Sequence, residues 1–214
     1  MEVIIAMKVF VLSHMIVART KIKPFLIRKI GKTGYTVFYS LLSFVLLGWV
    51  IYEVLVSDRI LLWATPIWAY YFAALFSLLG FILIGIGFTT HNVLSAAFRK
   101  STEKNHSSFS SIIRHPIILG ASLWGIAHIP ANGDVQSLFL FGGSAAFGLI
   151  GMWLVDKRKQ KEMGMDKWQE IATRKGAIDK DTIIGAIAGI ISWAAIALFL
   201  HAPLFKADPL ILWR

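Results

Sequence analysis

Residues 114–134 read RHPIILGASLWGIAHIPANGD. The middle of this stretch, Ile117–Ala127, is apolar enough to enter a bilayer, yet its flanks carry Arg114, His115, His128, Asn132 and Asp134. Pro116 stands where a helix begins, a place proline tolerates because the first backbone N–H groups have no partner in the helix. Pro130-Ala-Asn-Gly-Asp134 reads as a tight turn with Asn-Gly at its centre. A second apolar block follows at Val135. The spacing predicts two membrane helices joined as an antiparallel hairpin.

The rest of the chain repeats this pattern. Its 214 residues are 57% hydrophobic and only 16% charged, and the mean hydropathy is +0.67. A soluble domain carries about 25% charged residues, so the composition is that of an integral membrane protein in contact with the lipid bilayer. Apolar blocks run over about Val3–Ala18, Tyr35–Val56, Ile67–Thr89, Ile112–Ile129, Val135–Val155 and Ile183–Leu200. At ~20 residues per crossing there is room for about six helices. The expected fold is all-α, a single-domain polytopic helix bundle over residues 1–214. Gly185, Ala188 and Gly189 in the last block predict close helix packing.

The net charge of +10 does not point to nucleic acid, because of where the charges sit. Of the 22 Lys and Arg residues, all but Lys8, Arg59, Lys206 and Arg214 lie in three alternate connections, 19–32, 99–114 and 157–180. Positive loops stay cytoplasmic. Both termini are therefore expected on the non-cytoplasmic side of a bacterial inner membrane. The N-terminal MEVIIAMKVFVLSHMIVART lacks a positive region ahead of its apolar run and reads as an uncleaved first helix. In the longest polar connection, Met163, Trp168, Ile171 and Ala172 predict a short helix on the inner membrane surface.

The chain has no cysteine, which excludes disulfides, thiolate–metal sites and Cys nucleophiles. Histidine is the strongest metal ligand left. Ionisable groups inside a membrane are costly and mark candidate functional positions. His14 lies deepest, in the first block; His115 and His128 sit at opposite ends of the fourth. His91 and His201 read as interfacial residues at helix ends, and His106 as a solvated loop residue. Glu53 is a candidate partner for a histidine at the outer side. Buried histidines on facing helices with aromatic walls suit a b-type haem, since imidazole binds iron and the porphyrin needs apolar surroundings.

Arg114-His115-Pro116, Gly120, Leu123-Trp124, Ala127-His128, Ala131 through Asp134, Ser137 and Leu140-Phe141-Gly142 resemble the central pattern of the NnrU family, which includes the 15-cis-zeta-carotene isomerases. Ser13-His14 and His201 through Phe205, with Asp208-Pro209, extend the resemblance toward both ends. The resemblance implies a link to denitrification and nitrogen-oxide handling, or a haem-dependent cis–trans isomerisation of a carotenoid. The ligand would then be a small nitrogen oxide or a hydrophobic polyene. It also implies haem b held by two histidines, carried over as His14 and His128, with His115 and Arg114 as further cofactor-binding candidates.

Helix geometry gives a different pairing. His14 is five residues from Arg19, roughly 7 Å from the inner boundary, whereas His128 is fourteen residues past Arg114, about 21 Å up. Straight helices would set His14 level with His115, and His128 level with His201. Arg-His-Pro-x-x-x-Gly also resembles a motif of S-adenosylmethionine-dependent membrane methyltransferases of the isoprenylcysteine type. There the tyrosine position is Ile118 in this chain, and the paired acids expected later reduce to Glu162. A structural or assembly role without a cofactor stays open as a third class.

Overall fold

A computed structural model of the chain describes residues 2–95, 97–99 and 101–209. Lys100 and Arg214, two of the charges used above to orient the chain, lie outside the described residues. Among those described, the structure is helical: α1 (Glu2–Arg19), α2 (Ile22–Val56), α3 (Ile67–Thr89), α4 (Phe109–Ile112), α5 (Pro116–His128), α6 (Val135–Met163), α7 (Met165–Ala172), α8 (Lys180–Ala195), a π-helix (Ile196–Leu200) and α9 (His201–Phe205).

Four segments are long and apolar enough to cross a membrane: Thr33–Val56, Ile67–Thr89, Val135–Met163 and Lys180–Phe205. A fifth crossing is possible by length for Glu2–Val17 with Ile22–Gly31, a pair bent by 77°. Within α2, Gly31 takes φ 74 and ψ 169, which interrupts the helix ahead of the Thr33–Val56 span. The fourth apolar block is shorter than expected. Ile113 is extended and His115 non-helical, so the block divides into α4 and the 13-residue α5. At 1.5 Å per residue α5 covers ~20 Å, less than the ~30 Å of a bilayer core. Large apolar side chains such as Phe44, Val45, Trp68, Trp153 and Ile191 face outward, as lipid contact requires.

The helices pack in two groups joined by α6. One group is α3 with α5 and α8; the other is α1 with α2, both touching α6. Association inside a membrane depends on close packing rather than hydrophobic exclusion, so small residues line the contacts. Gly185 and Gly189 of α8 lie on the backbone of α3. A methyl group at Gly185 would stand 2.7 Å from the Gly85 carbonyl oxygen, and one at Gly80 equally close to that of Gly120. The small-residue series in the last block therefore does what its spacing predicts.

The hairpin of α5 and α6 forms as expected. Asp134 caps α6, accepting from the Ser137 N–H at 2.7 Å and the Ser137 hydroxyl at 3.0 Å. The 60–65 segment docks on this turn: Leu62 N–H donates to the Gly133 carbonyl at 2.7 Å, and Val135 N–H to that of Ile60 at 2.9 Å. At the opposite end, the basic connections 90–114 and 164–180 meet. Lys167 pairs with Glu103 at 2.6 Å, and Arg174 donates to the Glu103 carbonyl at 3.0 Å. The short helix expected in the last polar connection is α7, with Ile171 fully buried.

Candidate functional site

The candidate residues fall at two ends of the bundle. At the basic end, Arg114 makes a two-pronged ion pair with Asp156: Nε to Oδ1 at 2.8 Å and Nη2 to Oδ2 at 2.7 Å. His115 is buried beside it, with Nε2 3.0 Å from Asp156 Oδ1 and Nδ1 2.7 Å from the Ser95 hydroxyl. The Arg114 guanidinium also lies over the Trp168 ring at 4.9 Å, and Asn92 Nδ2 donates to the Arg114 carbonyl at 2.8 Å. One carboxylate thus ties α5, α6, α7 and the 90–95 segment together. This is a clamp, in which every charge has a partner, and the methyl-donor reading of Arg-His-Pro draws no support from it. Asp156 escaped the sequence reading. It is an acid at the end of an apolar block, followed directly by Lys157, Arg158 and Lys159, and it passes there for part of a charge run.

His14 lies between α1, α2 and α6. Its ring packs against Phe10, Tyr39 and Phe147, with centroids 4.6, 5.2 and 5.0 Å away. Nδ1 donates to the Phe10 carbonyl at 2.7 Å, and Nε2 meets the Ser43 hydroxyl at 3.1 Å. Both ring nitrogens are engaged.

The end away from the basic loops holds a cavity of about 390 Å³, within the range of small-molecule sites. α2 contributes Ile51 and Val54, α3 Tyr70 and Ser77, α5 Trp124 and His128, and α6 Leu140 and Phe141. Trp193, Ala197, His201 and Phe205 close it from the last helices. Of these walls, α3 packs on α5 and α8, and α2 on α1 and α6. Trp193 Nε1 donates to the Ser77 hydroxyl at 2.9 Å, which satisfies two polar groups in an otherwise aromatic wall. Arg59, Lys206, Asp208 and Asn132 also border it.

Two histidines enter this cavity. His128 is stacked on Phe141, with centroids 4.8 Å apart, and its Nδ1 donates to the Trp124 carbonyl at 2.8 Å. The ring of His201 stands 6.5 Å from that of His128, nearly parallel to it at 17°. His201 Nδ1 donates to the Ala207 carbonyl at 2.8 Å. Of the two level pairs read from straight helices, the structure brings together His128 and His201. His14 meets Phe10, Tyr39, Phe147 and Ser43, His115 meets Ser95 and Asp156, and neither is among the side chains lining the cavity. Glu53 serves Trp49, whose Nε1 donates to it at 2.8 Å, rather than a histidine. His106 is packed rather than solvated. Its Nδ1 accepts from the Val93 N–H at 3.3 Å, and burial, with the Arg174 guanidinium nearby, holds its pKa down at about 4. Among the described residues, no group of three or more His, Asp or Glu side chains is arranged to hold a metal ion by itself.

The cavity passes the chemical test for haem b. Its walls are aromatic and aliphatic, as a porphyrin requires, and His128 presents an unprotonated Nε2 because its Nδ1 proton is committed to a carbonyl. Arg59 and Lys206 are the cations at its border, with Arg59 Nη1 3.9 Å from Asp134 Oδ2. The family model described as NnrU protein matches residues 2–209, nearly the whole chain. No curated protein and no solved structure matches it.

Proposed function

The chain belongs to the NnrU family, and from that premise we propose that it is a haem b protein of the bacterial inner membrane. The cofactor would occupy the cavity away from the basic loops, where His128 would hold it. The observation that carries this reading is the pair of cavity histidines, each held through Nδ1 by a backbone carbonyl. When bound, haem supplies a one-electron store and a Lewis-acidic iron. The protein's own groups would do the rest. Trp124, Phe141 and Trp193 exclude water and lower the local polarity. Asp134 and Asn132 hold the turn that ends α5, and Asn132 Nδ2 donates to the His128 carbonyl at 2.9 Å.

The positive-inside rule orients the molecule. The Arg114–Asp156 clamp would face the cytoplasm and the cavity the other side, with both termini there as well. The aromatic and aliphatic lining suits an apolar ligand or a small neutral one. An apolar polyene or a small nitrogen oxide has that property. We take redox-linked chemistry on such a ligand as the function. The test is the visible spectrum of detergent-purified protein before and after dithionite. A Soret band with sharp reduced α and β bands, lost in His128→Ala, is expected. A colourless wild-type protein after expression with added haem precursor would overturn the proposal.

A further inference from the structure

The three basic connections do not carry their charge in the same way. In and around 99–114 and 157–180, acids stand among the bases and the fold pairs them: Arg99 with Asp181, Arg114 with Asp156, Lys167 with Glu103 and Arg174 with Glu170. The first connection holds Arg19, Lys21, Lys23, Arg28, Lys29 and Lys32, and the chain has no Asp or Glu anywhere between Val3 and Tyr52. No acid of their own stretch can screen these cations. α6 adds another: the Arg158 guanidinium stands near enough to the Tyr35 hydroxyl for its charge to act there, while Lys23 Nζ lies 5.9 Å over the face of the same ring.

The backbone turns this stretch into an elbow. Pro24 has no N–H to give the Thr20 carbonyl, and in a continuous helix its ring would collide with that carbonyl. The helix accordingly breaks at Thr20-Lys21, and Ile22–Gly31 leaves the first helix at 77°. Gly31, at φ 74, ends the elbow ahead of the Thr33–Val56 span. α1 alone, with 18 residues, covers ~27 Å, close to the ~30 Å of a bilayer core. It reaches the inner surface without the elbow, and a segment bent so sharply from it runs along that surface.

Phe25 N–H donates to the Lys21 carbonyl at 3.1 Å, which sets Lys21 one turn before Phe25. Arg28 and Lys29 follow one turn after it, and all three cations are exposed. Phe25 among them is 50% exposed, and Ile22 and Ile30 are exposed beside it. Water does not suit the apolar side chains of this face, and hydrocarbon does not suit its charges. The headgroup zone suits both, since rings reach the upper acyl carbons while Lys and Arg stay at the phosphates. We propose that the elbow is a docking surface for anionic phospholipid. Lys21, Arg28 and Lys29 meet lipid phosphates, and Ile22, Phe25 and Ile30 enter the acyl boundary. A cluster of cations next to a membrane span has this preference, and the interleaved apolar side chains favour a lipid surface over a nucleic acid or an acidic protein. The surface stands whether or not the cavity binds haem.

The experiment uses the full chain with Ile30→Cys, the sequence having no other cysteine. An environment-sensitive fluorophore on that thiol is read in nanodiscs of phosphatidylcholine, with and without phosphatidylglycerol. Phosphatidylglycerol is expected to shift its emission to the blue. A spin label near the headgroup is expected to quench it more than one deep in the acyl chains. The shift is expected to vanish in 1 M salt, where the Debye length is ~3 Å, and in the added triple variant Lys21→Gln, Arg28→Gln, Lys29→Gln. Lys157→Gln with Lys161→Gln, cations outside the elbow, is expected to keep it. Emission that does not respond to phosphatidylglycerol overturns the proposal, as does a shift that survives the triple variant. Stronger quenching by the deep label would make the elbow part of a broken span. A shift produced by an RNA oligonucleotide or polyglutamate, and not by phosphatidylglycerol, would give the surface to a soluble polyanion instead. The lipid and salt arms need no charge variant, so they decide the matter even if the triple variant does not fold.

Discussion

Asp156 accepts from Arg114 and His115 at once, so removing its charge leaves two partners stranded in a largely closed site. Asp156→Asn is expected to cost about 2 kcal/mol, less than a fully buried pair because the Arg114 side chain is 34% exposed. Thermal unfolding of the detergent-solubilised protein measures it; no change would show the clamp to be idle. His106 gives a pH dependence with a definite sign. Its pKa is lowered to about 4 in the fold from the usual 6.5, so the unfolded chain takes up the proton first as pH falls. The stability it contributes is complete above pH 6.5 and is lost as pH falls toward about 4. The melting temperature should therefore drop between pH 7 and pH 5, and by less in His106→Gln. The sequence marked Arg114, His115 and His128, and straight helices set His128 level with His201, but nothing in it marked Asp156. Asp156 and His201 lie 41 and 73 positions from the histidines they meet, and only the folded chain joins them.

Helices were the most legible elements, because lipid demands long apolar runs and the charges that end them. The α5–α6 hairpin followed from Pro130, Asn132 and Gly133, and the close approach of α8 to α3 from Gly185 and Gly189. Gly185→Ala is expected to destabilise by about 2 kcal/mol, since its methyl would press on the α3 backbone and has nowhere to move. Gly151, around which the same methyl would meet nothing, is the matched control. An equal loss at both positions, read by thermal unfolding, would contradict the packing. The π-helix left no trace in composition, as Ile196–Leu200 reads like any apolar turn. That is why His201 passed for an interfacial residue. The division of the fourth block was hidden for a similar reason: Pro116 is acceptable inside a helix start, and nothing in Ile112-Ile113 announces that the chain extends there.

At the scale of the molecule, a basic end with a fully paired clamp faces away from an aromatic cavity with two histidines. The absence of native cysteine makes the orientation directly measurable. Lys104→Cys at the basic end and Asp58→Cys at the other end are both exposed. A membrane-impermeant maleimide should label Asp58→Cys in intact spheroplasts, and Lys104→Cys only in inverted vesicles. The reverse pattern would turn the protein over. The central claim is that the cavity, and not the Arg-His-Pro end, holds the cofactor. Haem bound per chain, measured by pyridine haemochrome on His128→Ala and Asp156→Asn purified side by side, tests it most directly. The account expects haem to be lost from His128→Ala and retained near wild-type stoichiometry in Asp156→Asn. Retention in His128→Ala with loss in folded Asp156→Asn would contradict it.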